Sequence, residues 1–421
     1  MQKEQLKGII LDQIEEYLNQ EYIKRDFQLD KNINYCFVGI RRCGKSYLMY
    51  QLAHELMDSG IDKDCILYIN FEDERLLEFS TDDFNTILEI ALEWAEGKGQ
   101  PYLFLDELQN VEGWEKFARR LADMKYHVNI TGSNSKMLSS EIASTLGGRY
   151  MMVNVYSYSF GEFLTANNVS LKKLGQSTKS KAEISKYFNQ YLSFGSFPEL
   201  VNISNKRDYL NSIYQKIYLG DIITRNKLDN GFALRLIIKK IAESVMNPVS
   251  FSRLHGIAKS TGAEIGKQTV INYINYSLDA LLIFSVQNYA AKLVDKEASP
   301  KYYFMDSGLL GLFGSNDPTP AQLENVVAID LIRRYGRDNV YYYEKNVEVD
   351  FYVPNKNLAI QVCYELLNDK DTYERETTAL ARLKSHFPDA RCIIATMSEE
   401  TKITLDDLEI EVIPMWKWLQ R

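Results

Sequence analysis

Residues 33–60, INYCFVGIRRCGKSYLMYQLAHELMDSG, decide the fold. The apolar run 33–39 reads as a buried strand, and residues 45–60 read as a helix that Gly60 ends. The turn joining them, Gly39-Ile40-Arg41-Arg42-Cys43-Gly44-Lys45-Ser46, fits the pattern G-x-x-x-x-G-K-[ST]. Such a glycine-rich turn aims backbone N–H groups at an anion, and the helix N-terminus adds its positive end. A lysine at this point neutralises the β and γ oxygens of a nucleoside triphosphate, and the adjoining hydroxyl can ligate Mg²⁺. The residues expected to contact nucleotide are therefore Gly39, Ile40, Arg41, Arg42, Cys43, Gly44, Lys45, Ser46 and Tyr47.

Outward from this turn, residues 32–160 alternate short apolar runs with helical patterns. Strands are predicted in 65–73, 101–107 and 127–134, with a short final one in 149–156, and helices in 84–97, 113–124 and 135–145. Near-continuous apolar strands separated by helices specify an α/β fold, a parallel sheet covered on both faces. The strand Tyr102-Leu103-Phe104-Leu105 runs into Asp106 and Glu107. Asp106 at the strand tip can hold Mg²⁺, and Glu107 can polarise an attacking water. Read alone, the pair is equally a strand followed by a solvated helix cap. One strand–helix pair separates it from Lys45, an interval that matches P-loop ATPases with an extra strand before the metal aspartate. The next strand ends Ile130-Thr131-Gly132-Ser133-Asn134, where Ser133 and Asn134 are candidates to sense the γ-phosphate or candidates to cap the following helix. Arg149 follows two glycines and is either a finger for a neighbouring subunit's γ-phosphate or a surface arginine.

With these residues in place, the first half resembles a bacterial and archaeal AAA-type ATPase group whose P-loop domain precedes a winged helix and a nuclease-like domain. The strings that carry the resemblance are GIRRCGKSYLMYQL, YINFEDERL, LFLDELQNVEGWE, ITGSNSKMLSSEIASTLGGRY and, later, SFGSFPELV. The resemblance implies ATP binding with slow hydrolysis, and a homo-oligomer as a candidate assembly.

Residues 160–230 read as wholly helical, broken by a turn at 193–201. Residues 231–290 then carry three helical segments leading into a strand, the order of a winged helix, with Lys267, Gln268, Thr269, Asn272 and Asn275 on or near the third helix. Eleven Lys/Arg stand against six Asp/Glu in residues 206–290. Duplex DNA is therefore one candidate partner of residues 231–290, and a protein–protein clamp is the other. From 320 onward the pattern is helix, three strands, helix, strand. Glu324 falls on the first helix, Asp350 in VEVDFYV and Gln361 in LAIQVCY. This resembles the PD-(D/E)XK nuclease core, in which such residues hold metal and a lysine steadies the hydroxide. Here Cys363 stands at the lysine position, and a thiol is a poor partner for a hard cation. Lys345 and Lys356 are the possible substitutes, and a degenerate nuclease fold used for binding or assembly is the favoured reading.

The whole chain has 421 residues and a net charge of −8, with 45% hydrophobic residues. Those values exclude wholesale disorder and a chain that coats nucleic acid along its whole length. Five scattered cysteines without a C-x-x-C pair fit a reducing cytoplasm, and no apolar run suggests a signal peptide or a membrane span. The N-terminus reads as an amphipathic helix with Ile9, Ile10, Ile14 and Leu18 on one side. Three segments are expected: 1–160, a P-loop domain; 161–318, a helical and winged-helix module; and 319–421, the nuclease-like domain. The leading function is a Mg²⁺-dependent ATPase whose nucleotide state moves the later domains. The competitors are a nucleotide-controlled DNA-binding switch with negligible turnover and an ATP-driven nuclease.

Overall fold

The computed structural model describes residues 1–169, 177–263, 265–292, 299–314, 317–405 and 408–421. The chain divides into two compact units, Met1–Tyr156 and Ser157–Arg421.

In the first unit every strand expected from its apolar run forms. These are β1 (Tyr35–Val38), β2 (Ile66–Asn70), β3 (Tyr102–Asp106), β4 (His127–Gly132) and β5 (Met151–Asn154). Among the described residues they make a five-stranded sheet in the order β2-β3-β4-β1-β5, with every pair parallel. β1 and β3 are buried along their whole length, as two covered faces require. The helices are α1 (Lys3–Leu18), α2 (Lys45–Asp58), α3 (Phe84–Trp94), α4 (Trp114–Asp123) and α5 (Ser140–Leu146). On α1 the buried stripe is Leu6, Ile9, Ile10, Gln13 and Tyr17, so Ile14 and Leu18 are only partly covered. The Tyr17 ring stacks on Tyr68 of β2 with centroids 4.0 Å apart, which sets the face α1 presents. Because β4 lies between β1 and β3, its tip falls between the phosphate-loop turn and Asp106.

The second unit opens with helices α6 (Phe160–Ala166), α7 (Thr178–Phe194) and α8 (Lys206–Gln215), the last continuing as a π-helix over Lys216–Thr224. These supply the helical stretch expected in 160–230; residues 170–176 of that stretch lie outside the described residues. There follow α9 (Gly231–Glu243), α10 (Phe251–Ser260), α11 (Lys267–Asp279), β6 (Ile283–Asn288) and β7 (Lys301–Phe304). The three helices pack on one another, and β6 and β7 pair antiparallel. Next come α12 (Ser307–Gly311), α13 (Pro320–Tyr335), β8 (Tyr341–Glu344), β9 (Glu348–Val353), β10 (Leu358–Val362), α14 (Lys370–His386), β11 (Arg391–Thr396), β12 (Thr401–Leu405), β13 (Leu408–Pro414) and α15 (Met415–Trp418). The sequence pattern did not single out β12, β13 or α15.

Among the described residues the second unit carries one eight-stranded mixed sheet, ordered β12-β13-β11-β10-β9-β8-β6-β7. β6 joins β8 in parallel through Gln287↔Tyr341 and Asn288↔Tyr342. The expected division at 318/319 therefore runs through a continuous sheet, and residues 157–421 cluster as one unit. Asp306 ties the helices to this sheet: its carboxylate accepts Gly308 N–H at 2.9 Å and Ser196 N–H at 3.0 Å.

Candidate functional site

The phosphate-loop turn is shaped by its two glycines. Gly44 sits at φ 100°, a left-handed conformation that a side chain resists, and it starts α2 from there. A Cβ on Gly39 would come within 2.2 Å of the Val155 carbonyl oxygen, so the chain just after β5 can approach only a glycine. Arg25, buried and outside the motif, braces the turn from behind. It donates to the Cys43 carbonyl at 3.2 Å and to the Tyr156 carbonyl at 3.0 Å. The Cys43 thiol is buried and donates to the Val155 carbonyl at 3.3 Å. The loop thus gains rigidity from side chains whose sequence distance hides the connection.

Residues far apart in the chain meet at the strand tips. Ser46 Oγ donates to Asp106 Oδ2 at 2.6 Å, and the Tyr68 hydroxyl donates to the same oxygen at 2.8 Å. The Thr131 hydroxyl donates to Asp106 Oδ1 and accepts the Glu107 N–H at 2.9 Å. Lys45 Nζ lies 3.1 Å from Glu107 Oε1, both side chains being almost fully buried. Gln109 Nε2 donates to Glu107 Oε2 at 2.6 Å and to Ser133 Oγ at 3.5 Å. Glu107 itself has φ 52°, a left-handed backbone that costs a non-glycine residue about 1–3 kcal/mol and is held only by such surroundings.

The charges respond to this crowding. Burial, then the neighbouring Glu107 charge, pushes the Asp106 carboxyl up, against its three hydroxyl donors. Burial would also raise Glu107, but Lys45, Gln109 and Arg41 outweigh it and hold the carboxyl down at about 2. Burial would lower Lys45, and Glu107, Cys43 and Asp106 together outweigh it and raise the ammonium. At neutral pH, Lys45 and Glu107 therefore form a buried ion pair beside Asp106.

The other expected residues are placed less uniformly. Arg41 pairs with Glu72 at 2.5 Å, Arg42 is exposed with φ 62°, and Tyr47 packs edge-on against Tyr50. Ile40 is buried, and its carbonyl accepts from Lys45 Nζ at 3.4 Å. Asn134 accepts the Lys136 N–H at 2.8 Å and so caps the short helix Ser135–Leu138, whereas Ser133 stays with Gln109. Arg149 pairs with Asp123 and donates to the Gly147 carbonyl at 3.1 Å, and these contacts do not reach the Lys45 cluster. Thr131, Tyr68, Gln109 and Arg25 were not singled out by sequence. For Thr131 the signal was present, since it stands in the quoted strand tip beside Ser133.

A second cluster lies in the second unit. Asp350 and Gln361 come together on neighbouring strands, where Gln361 Oε1 accepts the Asp350 N–H at 2.7 Å. Glu324 joins them from α13, and the Tyr303 hydroxyl donates to Glu324 Oε1 at 2.7 Å. Burial and then the Asp350 charge push Glu324 up to about 8. A cavity of about 670 Å³ opens beside them, lined also by Glu348, Arg375, Glu376 and Arg382. Cys363 does not face this cluster; it packs in the apolar core with Ala359, Leu380 and Ile394. Lys345 and Lys356 are exposed and do not substitute for it. The lysine that enters is Lys301 of β7, fully buried, with Nζ 2.9 Å from Glu348, 3.4 Å from Asp350 and 3.6 Å from Glu324. A lone lysine opening the strand KYYF was its sequence signal.

Comparison with known proteins bears on both units. The family profile described as "AAA domain" matches residues 31–164, and a "Domain of unknown function (DUF8612)" matches residues 185–319. Uncharacterized protein MJ1544 of Methanocaldococcus jannaschii is 36% identical over 427 residues, covering 97% of this chain and 94% of that protein. The chain belongs to the family of that archaeal protein. An uncharacterized protein of Haemophilus influenzae is 29% identical over 412 residues, covering 96% of this chain and 97% of the relative. Among solved structures, the Aeropyrum pernix ORC1 protein in complex with DNA shares 13% identity and a TM-score of 0.32, covering 77% of this chain and 92% of that one.

The residues matched by the profile described as "AAA domain" contain the whole Lys45–Glu107 cluster. Its residues suit Mg²⁺, which takes one or two carboxylates and completes its shell with water and substrate phosphates. Ser46 Oγ and Asp106 Oδ2 already converge within hydrogen-bond reach, so a hydroxyl and a carboxylate are offered at one point. Among the described residues no group of three or more His, Cys, Asp or Glu is placed to hold a metal ion. No described helix is long and apolar enough to cross a membrane.

Proposed function

We propose that the chain binds ATP with Mg²⁺ at Gly39–Tyr47 and hydrolyses it slowly. The observation that carries this reading is the meeting of Ser46 with Asp106 and of Lys45 with Glu107 at the ends of adjoining parallel strands. Lys45 exchanges its partner Glu107 for the β and γ phosphate oxygens when nucleotide enters. Ser46 and Asp106 hold the metal, which when bound supplies charge neutralisation at the transferring phosphoryl group. Glu107, freed from Lys45 and still held by Gln109, orients and deprotonates the attacking water. Ser133, bonded to the same glutamine, reports the γ-phosphate to the β4 tip. A steady-state phosphate-release assay with Mg²⁺ tests the reading: Lys45→Ala abolishes nucleotide binding, and a variant that binds and hydrolyses ATP normally refutes it.

The nucleotide state then acts on the second unit. The three-helix bundle α9–α11 followed by the β6–β7 hairpin supports a winged-helix reading of residues 231–290. On α11, Lys267, Gln268 and Asn275 are exposed, and Gln268 and Asn272 are bonded to each other at 3.1 Å. This face favours a second reading, a nucleotide-controlled DNA-binding switch. Steady-state hydrolysis with and without duplex DNA separates the two, since robust DNA-independent turnover removes the pure switch. A trans role for Arg149 in a homo-oligomer requires it to leave Asp123, and native mass with an ATP analogue bound tests that assembly.

A further inference from the structure

We infer that Lys301 is the resident cation of the acidic pocket in the second unit, standing where a divalent ion would otherwise be held by Glu324, Glu348 and Asp350. Its ammonium touches all three carboxylates at 2.9–3.6 Å, and its side chain is completely buried. It also lies 5.5 Å from the centre of the Tyr342 ring, on whose face a cation is favoured. A lysine is kept at such depth only where carboxylates repay its lost hydration.

The oxygens that a metal would use are already engaged. Asp350 Oδ1 faces Lys301, and Asp350 Oδ2 accepts the Val362 N–H at 2.8 Å. Gln361 spends its oxygen on Asp350 N–H and its amide nitrogen on the Glu348 carbonyl at 3.2 Å. Glu324 Oε1 takes both Tyr303 and Lys301, and Glu324 Oε2 is the buried carboxylate oxygen of this cluster without a hydrogen-bond partner. Mg²⁺ demands a near-octahedral set of oxygens at about 2.0–2.1 Å, and one unengaged buried oxygen beside a fixed ammonium does not supply it. The β7 lysine therefore changes the chemistry of the pocket more than Cys363 does. It leaves a polar cavity whose positive charge is covalently built in.

Removing that charge unmasks the site, because three carboxylates then converge without a counter-ion. The test is a Mn²⁺ titration of the full chain without nucleotide, reading free Mn²⁺ by electron paramagnetic resonance and unfolding temperature in parallel. Wild type and Asp350→Asn are expected to bind equal amounts of Mn²⁺. Lys301→Met is expected to take up one further Mn²⁺ at least tenfold more tightly than any uptake by wild type, with a Mn²⁺-dependent rise in unfolding temperature. Lys301→Met/Asp350→Asn loses that uptake, and Lys301→Arg behaves as wild type. The inference is overturned if wild type holds a Mn²⁺ that Asp350→Asn loses, or if folded Lys301→Met binds no more than wild type. Should Lys301→Met fail to fold, the comparison of wild type with Asp350→Asn decides the matter alone.

Discussion

Replacing Glu107 by glutamine separates the two tasks assigned to it, because the amide keeps the shape and loses the charge. Lys45 Nζ lies 3.1 Å from Glu107 Oε1, a gross attraction of about 5 kcal/mol at an effective dielectric near 20. Removing one partner of a buried pair costs about 3–5 kcal/mol. The glutamine oxygen still accepts a hydrogen bond from Lys45, which returns about 1–1.5 kcal/mol. The variant is therefore destabilised by roughly 1.5–4 kcal/mol. With ATP bound, Lys45 faces phosphate in both proteins, so this penalty disappears on binding. Glu107→Gln should bind a non-hydrolysable ATP analogue with Mg²⁺ at least about tenfold more tightly than wild type, tenfold being about 1.4 kcal/mol. Its turnover should fall about 10²–10⁴-fold through loss of the base. Equilibrium titration gives the first number and phosphate release the second. Wild-type turnover would show that Glu107 is not the base, and a tenfold loss of affinity would show that it does not compete with nucleotide for Lys45.

Thr131→Val removes the hydroxyl that bridges Asp106 to the Glu107 N–H, and should cost about 2–3 kcal/mol of stability, with Thr131→Ser restoring most of it in calorimetry. Asp106→Asn should raise the Mg²⁺ concentration needed for half-maximal turnover by tenfold or more; an unchanged Mg²⁺ titration counts against Asp106 as the metal residue. Asp306→Asn should lower the unfolding midpoint by the equivalent of about 1–3 kcal/mol, because an amide N–H is forced against a backbone N–H that the carboxylate accepted. Lys267→Glu should weaken duplex DNA binding in fluorescence anisotropy and flatten its salt dependence, and equal binding by both proteins would remove α11 from the interface.

The parallel sheet was readable because each strand is an apolar run of strand length closed by a polar tip, and a helical pattern separates each from the next. The turn at 39–46 was readable for a different reason, since Gly44 answers a local left-handed backbone demand and Gly39 the close approach of the Val155 carbonyl. Asp106 was singled out because its strand ends on it. What stayed hidden depends on pairing between distant strands. Tyr68 reaches Asp106 only because β2 lies beside β3, and Arg25 reaches Cys43 only after the turn has closed. Asn134 was ambiguous between cap and sensor, and local hydrogen bonding took the cap. Lys345 and Lys356, the candidates to replace Cys363, both lie after residue 319. Lys301 arrives from β7, across a boundary that the sheet does not respect.

That continuity across residue 319 sets which pieces of the chain can be handled alone. A fragment beginning at 319 would strip β6 from β8 and leave that edge with unpaired N–H and C=O groups, a ready template for another chain. It would also discard Lys301 and expose three carboxylates to each other. Such a fragment should self-associate and report a charge environment that the intact protein does not have. Expression boundaries for the second unit therefore belong near Ser157, where the compact unit begins.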